Sequence, residues 1–371
     1  MTDDALPQSD QLEGAPHPRE TAQLYGHETP QADFLDAFNG DRLHHAWLIS
    51  GPRGVGKATL AYRLARFLLA TPPDDGGMFA APAPTTLDID PNHPVNNRIL
   101  AGSEPGIFTL NRPYDADKKK FKAQITVDEV RKLKGFFGMS ATDGGRRIVI
   151  VDTADDMNIN AANALLKLLE EPPKEAYLLL LSHQPSRLLP TIRSRCRELR
   201  CGALSPDHIA AALSASGAEN IDAHALTQLA GGSVGEALAL QNLDGLKLYQ
   251  GLINIAATFP NFDRPMGVAL GEKMAARGND AQFNLMCRLL DTLLNRLSRA
   301  GLGLIEHEAI PGELQTLEKL APNPEASRQW AEIAHHTADR LRHGRAVNLD
   351  PAALVLDMIL NMNDVARRTA A

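Results

Sequence analysis

Only three cysteines, Cys196, Cys201 and Cys287, occur in 371 residues. An odd number without framework-like spacing excludes a disulfide scaffold and fits reduced thiols. Cationic excess is lacking too: 38 Lys and Arg stand against 45 Asp and Glu, a net charge of -7. A protein whose main work is gripping nucleic-acid phosphates carries a positive footprint, so any such contact is local or supplied by partners. No run approaches the ~18 apolar residues of a membrane span. Residues 1–20 are polar, acidic and proline-bearing, without the apolar segment of a secretory signal. A soluble, cytoplasmic protein with no membrane partner is the expectation.

What is present is a core-forming composition, 44% hydrophobic, in a chain long enough for two or three domains. Ordered structure is expected from about Leu24, after a disordered tail over 1–23. Apolar runs at Ala46–Ile49 and Ile148–Val151 read as buried strands, with Tyr177–Leu181 a further apolar strand and Ile107–Leu110 a candidate for another. Between them lie helical patterns. Ala61, Leu64, Ala65 and Leu68 share one face, as do Ala161, Ala164, Leu165, Leu168 and Leu169. Thr126 and Glu129 form a capping-box pattern opening a helix to about Phe137. Strands alternating with helices predict a parallel, doubly wound α/β sheet. Residues 71–97, rich in Pro, Gly, Ala and Asp, read as a loop or insertion. From Pro206 onward only helical periodicity appears, so the remainder is expected to be all-α. Boundaries near 202 and 244 divide an α/β domain (24–202), a small helical unit (203–243) and a larger helical domain (244–371).

The first chemical signal is the loop Gly51-Pro52-Arg53-Gly54-Val55-Gly56-Lys57, which meets the G-x-x-x-x-G-K spacing between a strand and a helix. Glycines let backbone N–H groups turn onto phosphate oxygens, the helix N-terminus adds its dipole, and Lys57 reaches the β and γ phosphates. The next residue should carry a hydroxyl for Mg²⁺, and it is Ala58. Thr59 lies about 100° further round the helix and points elsewhere. Asp152 ends the Ile148–Val151 strand, where such folds hold Mg²⁺, but Thr153 follows it where many ATPases place a glutamate. Asp155 and Asp156 read as favourable charges near a helix start. The expected nucleotide site is thus Gly51 to Lys57 with Ala58, Thr59 and Asp152.

Three further segments make the chain recognisable. Asn163-Ala164-Leu165-Leu166-Lys167-Leu168-Leu169-Glu170-Glu171-Pro172-Pro173 resembles the characteristic helix of bacterial clamp-loader subunits of the AAA+ superfamily. Ser194-Arg195-Cys196 resembles the SRC motif of the same family, and Arg42 to Pro52 resembles its lead into the phosphate loop. The resemblance covers about 24–202 and implies a RecA-like P-loop domain, a helical lid and a helical collar. It implies membership of a hetero-pentamer with gamma/tau and delta subunits, acting on a sliding clamp and primed DNA.

Family motors keep their catalytic parts. This chain departs at Ala58, at Thr153 and at Gly235, where Gly232 to Leu238 would carry a sensor arginine. Three losses in distinct elements place it nearer the delta-prime type, which does not hydrolyse ATP. Bound ATP or ADP would then be a fixed element. The resemblance also implies that Arg195 projects to the γ-phosphate of ATP on the neighbouring subunit, a contribution worth about 10³ to 10⁵ in rate. The four-cysteine zinc module common in the family has no counterpart between Lys57 and Arg195, and Cys196 with Cys201 cannot complete a tetrahedral site, so no zinc is expected. Arg193 and Arg197 read as solvated, as does the basic run Lys118 to Lys120 with Lys122. His44 and His45 lack a catalytic partner at a legible spacing. The competing reading is an autonomous AAA+ ATPase. A small-molecule P-loop kinase would leave the SRC motif and the helical second half unexplained.

Overall fold

A strand that is apolar at every position can be buried only in the middle of a sheet covered on both faces, and three segments meet that condition. In the computed structural model, which describes residues 9, 11, 16–21, 23–40, 42–71, 82–117, 120–138, 145–218, 222–346 and 349–369, they form its centre. The first part of the chain runs α1 (Glu28–Asn39), β1 (Ala46–Ser50), α2 (Lys57–Ala70), α3 (Pro94–Leu100), β2 (Ile107–Asn111), β3 (Tyr114–Asp115), β4 (Lys120–Phe121) and α4 (Val127–Gly138). It continues through β5 (Arg147–Asp152), α5 (Ile159–Glu170), β6 (Ala176–Ser182), α6 (Pro190–Arg193), β7 (Arg197–Arg200) and α7 (Pro206–Ala215). The main sheet is five-stranded and parallel, in the order β2-β5-β6-β1-β7.

Alternation along the strands divides the core into two layers. Trp47, Ile49, Ile148, Ile150, Leu179 and Leu181 face one way, onto Phe34 of α1 and Leu60, Leu64 and Phe67 of α2. Leu48, Val149, Val151, Leu178 and Leu180 face the other, onto Leu133 of α4 and Leu165 and Leu169 of α5. Asn158 caps α5, accepting from the Ala161 N–H at 2.9 Å.

Three features depart from the sequence reading. The edge strand β7 was not anticipated, because in Arg-Glu-Leu-Arg only Leu199 is buried. Within 71–97, helix α3 begins at Pro94, with the His93 side chain accepting from the Val95 N–H. In the N-terminal segment, His17 is buried and its ring edge meets Tyr62.

The remaining helices are α8 (Ala223–Ala230), α9 (Val234–Asn242), α10 (Gly245–Ala257), α11 (Arg264–Ala275), α12 (Asp280–Ala300), α13 (Glu313–Leu320), α14 (Pro324–Ala346) and α15 (Pro351–Thr369). By contacts the chain forms two compact units, residues 1–212 with 232–235, and residues 213–231 with 236–371. In the second, α12 packs on α14 and α11 on α15. Its centre holds a buried polar cluster. The Glu313 carboxylate, fully buried, accepts from Arg296 Nε at 2.5 Å, Arg296 Nη2 at 3.0 Å, Tyr249 Oη at 2.6 Å and the Ala309 N–H at 2.5 Å. Among the described residues no helix is long and apolar enough to cross a membrane.

Candidate nucleotide loop and trans arginine

The loop between β1 and α2 leaves the C-terminal edge of the sheet, where a parallel fold gathers its ligands. Gly54 and Gly56 hold φ of +75° and +106°, conformations that side chains resist. A Cβ on Gly51 would come within 2.0 Å of the Cys201 carbonyl oxygen. The loop is braced on several sides. His27 Nε2–H donates to the Val55 carbonyl at 2.7 Å, and the Gly235 N–H donates to the Gly54 carbonyl at 2.9 Å. A Cβ on Gly54 would lie 2.4 Å from Ser233 Oγ, so the 232–235 segment rests on the loop. Gly235 therefore stands against the phosphate loop.

Lys57 is buried, and its ammonium donates to the carbonyls of Gly51 at 2.8 Å and Pro52 at 2.6 Å. Burial lowers its pKa to about 8, partly offset by Cys201, Asp152 and Asp155. Beside it stands His183, just past the end of β6. Burial and the Lys57 charge lower the imidazole pKa to about 4, and its Nδ1 is buried without a hydrogen-bond partner.

Asp155 is a correction to the sequence reading. It lies in a short 3-10 turn, 154–156, and its carboxylate accepts from Ser182 Oγ at 2.8 Å and the His183 N–H at 2.5 Å. Asp155 thus ties β5 to β6 across the site. Asp156 pairs instead with Arg112 at 3.1 Å. The structure brings together Lys57, Asp152, Asp155 and His183, the last unforeseen. Its signal was a polar Ser-His pair closing an otherwise apolar strand.

The residues present fit a phosphate. The glycine turns, the start of α2, the Lys57 ammonium and the orphaned His183 nitrogen all suit one. The first turn of α2 offers the Ala58 methyl where a P-loop ATPase has a hydroxyl for Mg²⁺.

Arg195 lies elsewhere. It follows α6 and precedes β7, whose Arg197 is level with Trp47 of β1 and whose Arg200 is level with Ser50. At about 3.3 Å per residue, some 13 Å along the strand axis separates the Trp47 level from Gly51, and Arg195 lies beyond the far end. A second anchor agrees: Arg195 Nη2 pairs with Glu170 Oε1 at 2.8 Å. The Leu169 carbonyl beside Glu170 accepts from His45 Nε2–H at 2.9 Å, immediately before β1. The third is local, Arg195 Nη1 donating to the Thr191 carbonyl at 2.9 Å. Arg195 and Lys57 occupy opposite ends of one sheet.

The secondary candidates resolve simply. Arg193 is exposed, while Arg197, also exposed, places its guanidinium 5.2 Å from the centre of the Trp47 ring. His44 stacks on His45 at 4.4 Å between ring centres. Of the basic run, Lys120 and Lys122 are exposed, and 118–119 lie outside the described residues.

Residues 26–205 match the family model described as DNA polymerase III, delta subunit. The DNA polymerase III subunit delta' of Escherichia coli (strain K12) is 30% identical over 332 residues, covering 88% of this chain and 91% of that protein. The chain belongs to the delta-prime family of DNA polymerase III subunits. Its counterpart in Pseudomonas aeruginosa is 42% identical over 205 residues, 54% of this chain and 56% of that protein. That alignment thus spans little more than half of the relative. The gamma/tau subunit of Mycobacterium tuberculosis is 32% identical over 179 residues, 48% of this chain and 28% of that protein. Within the delta-prime family, the paired phosphate loop and remote arginine are the features to explain.

Proposed function

We propose that the chain works as a delta-prime subunit of the DNA polymerase III clamp loader, helping to place the sliding clamp on primed DNA. In this reading it sits in a hetero-pentamer with gamma/tau and delta subunits and does not hydrolyse ATP itself. It supplies Arg195 to the γ-phosphate on the neighbouring motor subunit. The observation that carries the reading is the position of Arg195. A guanidinium at the edge of the sheet remote from Lys57 is out of reach of its own loop, so any nucleotide phosphate that Arg195 meets has to come from another subunit. The planar fork of arginine suits that phosphate, and lysine would be a poor replacement. ATP or ADP, held by Gly51 to Thr59 with His183 alongside, would brace the loop without turnover.

The second reading, an autonomous AAA+ ATPase, is favoured by the intact loop geometry, Asp152 and the gamma/tau likeness. One experiment separates them. In the reassembled loader, Arg195→Ala is expected to leave assembly intact and lower DNA-stimulated ATPase by at least about 10³-fold at the adjoining site. Because other sites in the loader also turn over, single-turnover measurement of that site is the readout. Unchanged turnover, or sustained Mg²⁺-dependent hydrolysis by the isolated chain, would sink the proposal.

A further inference from the structure

We infer that Glu170 is an intramolecular counter-ion that competes with the neighbour's phosphate for Arg195, so that the guanidinium must be released from its own subunit before it can act. This rests on the trans role proposed for Arg195 and adds its regulation.

The geometry sets up the competition. Arginine presents a fixed fork of N–H groups, and it grips phosphate best through two parallel bonds. In this chain both terminal nitrogens are engaged: Nη2 on Glu170 Oε1 at 2.8 Å and Nη1 on the Thr191 carbonyl at 2.9 Å. A phosphate approaching that edge competes for two of the five N–H groups and meets a carboxylate of its own sign beside them.

The pair is also built to open. The Arg195 side chain is 36% exposed and that of Glu170 50% exposed, so water screens the attraction and solvates both ends on release. An exposed pair of this kind biases an equilibrium by about two- to five-fold. A lock of the Arg296–Glu313 kind would be too costly to break in each cycle. Glu170 is the last residue of α5, and Thr191 belongs to α6, so the two restraints arise from separate elements. Movement of α6 against the end of α5 would loosen them. Glu170 is thus a positioning residue acting through Arg195.

Two measurements test this. The first uses the isolated full chain and phenylglyoxal, a dicarbonyl reagent for arginine, with Arg195 modification followed by peptide mass spectrometry. Glu170→Gln is expected to speed modification of Arg195 about two- to five-fold relative to exposed Arg193 in the same sample. An unchanged ratio overturns the counter-ion role whatever the ATPase data show. The second uses the reassembled loader without clamp or DNA. There Glu170→Gln should raise turnover at sub-saturating ATP about two- to five-fold, through KM more than kcat, and the gain should vanish in Glu170→Gln/Arg195→Ala. Lower turnover in Glu170→Gln would overturn the competition. If Arg195→Ala alone changes nothing, the trans reading fails, and the phenylglyoxal ratio still decides whether Glu170 restrains Arg195.

Discussion

Replacing Arg296 by Met is the most demanding test of the helical unit's energetics. Arg296 is 7% exposed and Glu313 is 0% exposed, and the two are joined bidentately at 2.5 and 3.0 Å. Met keeps much of the stem volume but removes both charged hydrogen bonds, each worth about 1.5–3 kcal/mol. The Glu313 carboxylate is left with two neutral donors, Tyr249 Oη and the Ala309 N–H. The His307 carbonyl also loses its 2.8 Å bond from Arg296 Nη2. Stranding a buried charge in this way costs about 3–5 kcal/mol. For a unit of about 150 residues that corresponds to a fall in Tm of roughly 6–20 °C. The chain has two tryptophans, and only Trp330, whose indole N–H donates to the Leu320 carbonyl, lies in this unit. Trp330 fluorescence in a Trp47→Phe background therefore reports it alone. Adding Glu313→Gln to Arg296→Met should recover about 1 kcal/mol or more, since the stranded charge is gone. A loss under about 1 kcal/mol for Arg296→Met, or no recovery in the double variant, would refute the claim that the pair is desolvated.

Two further outcomes concern the phosphate loop. His183 has a folded pKa of about 4 against 6.5 for the unconstrained ring. Between those values the unfolded chain binds more protons, so this histidine's contribution to stability is lost as pH falls from about 6.5 to about 4. The total is on the order of 3 kcal/mol, and it should be absent from urea titrations of His183→Asn, whose stability will fall less steeply with acid. Gly51→Ala would drive a Cβ to 2.0 Å from a backbone oxygen that cannot swing aside. A loss of at least about 2 kcal/mol in the α/β unit is expected, read from Trp47 in a Trp330→Phe background, and a neutral effect would refute the close approach.

Much of this architecture is legible in the sequence because burial leaves a one-dimensional trace. β1, β5 and β6 are apolar at nearly every position because both faces are covered, and α2 buries Ala61, Leu64, Ala65 and Leu68, the face its periodicity indicates. β7 leaves no such trace, since an edge strand with one buried leucine resembles a charged loop. The phosphate loop is legible because its glycine spacing is local. Its surroundings are not, because the Cys201 carbonyl, His183 and Gly235 reach it from distant segments. Asp155 misleads for the same reason: its charge suits a helix start, but its bonds are made across the sheet to Ser182 and His183. The Glu170–Arg195 pair likewise needs α5 and the segment after α6 to meet in space.

The placement of Lys57 and Arg195 at opposite ends of parallel strands gives the α/β unit a direction. Two such units related by a two-fold axis would either face like ends or, lying antiparallel side by side, join each loop to the other's arginine and close as a pair. A head-to-tail contact, with two different surfaces meeting, joins one loop to one arginine and leaves the other ends available, and contacts of that kind build rings or open spirals. In such an array one end exposes an unread loop and the other an unused arginine. In the proposed loader, a subunit that hydrolyses no ATP but keeps its arginine would suit the position where only its arginine faces a neighbour's nucleotide.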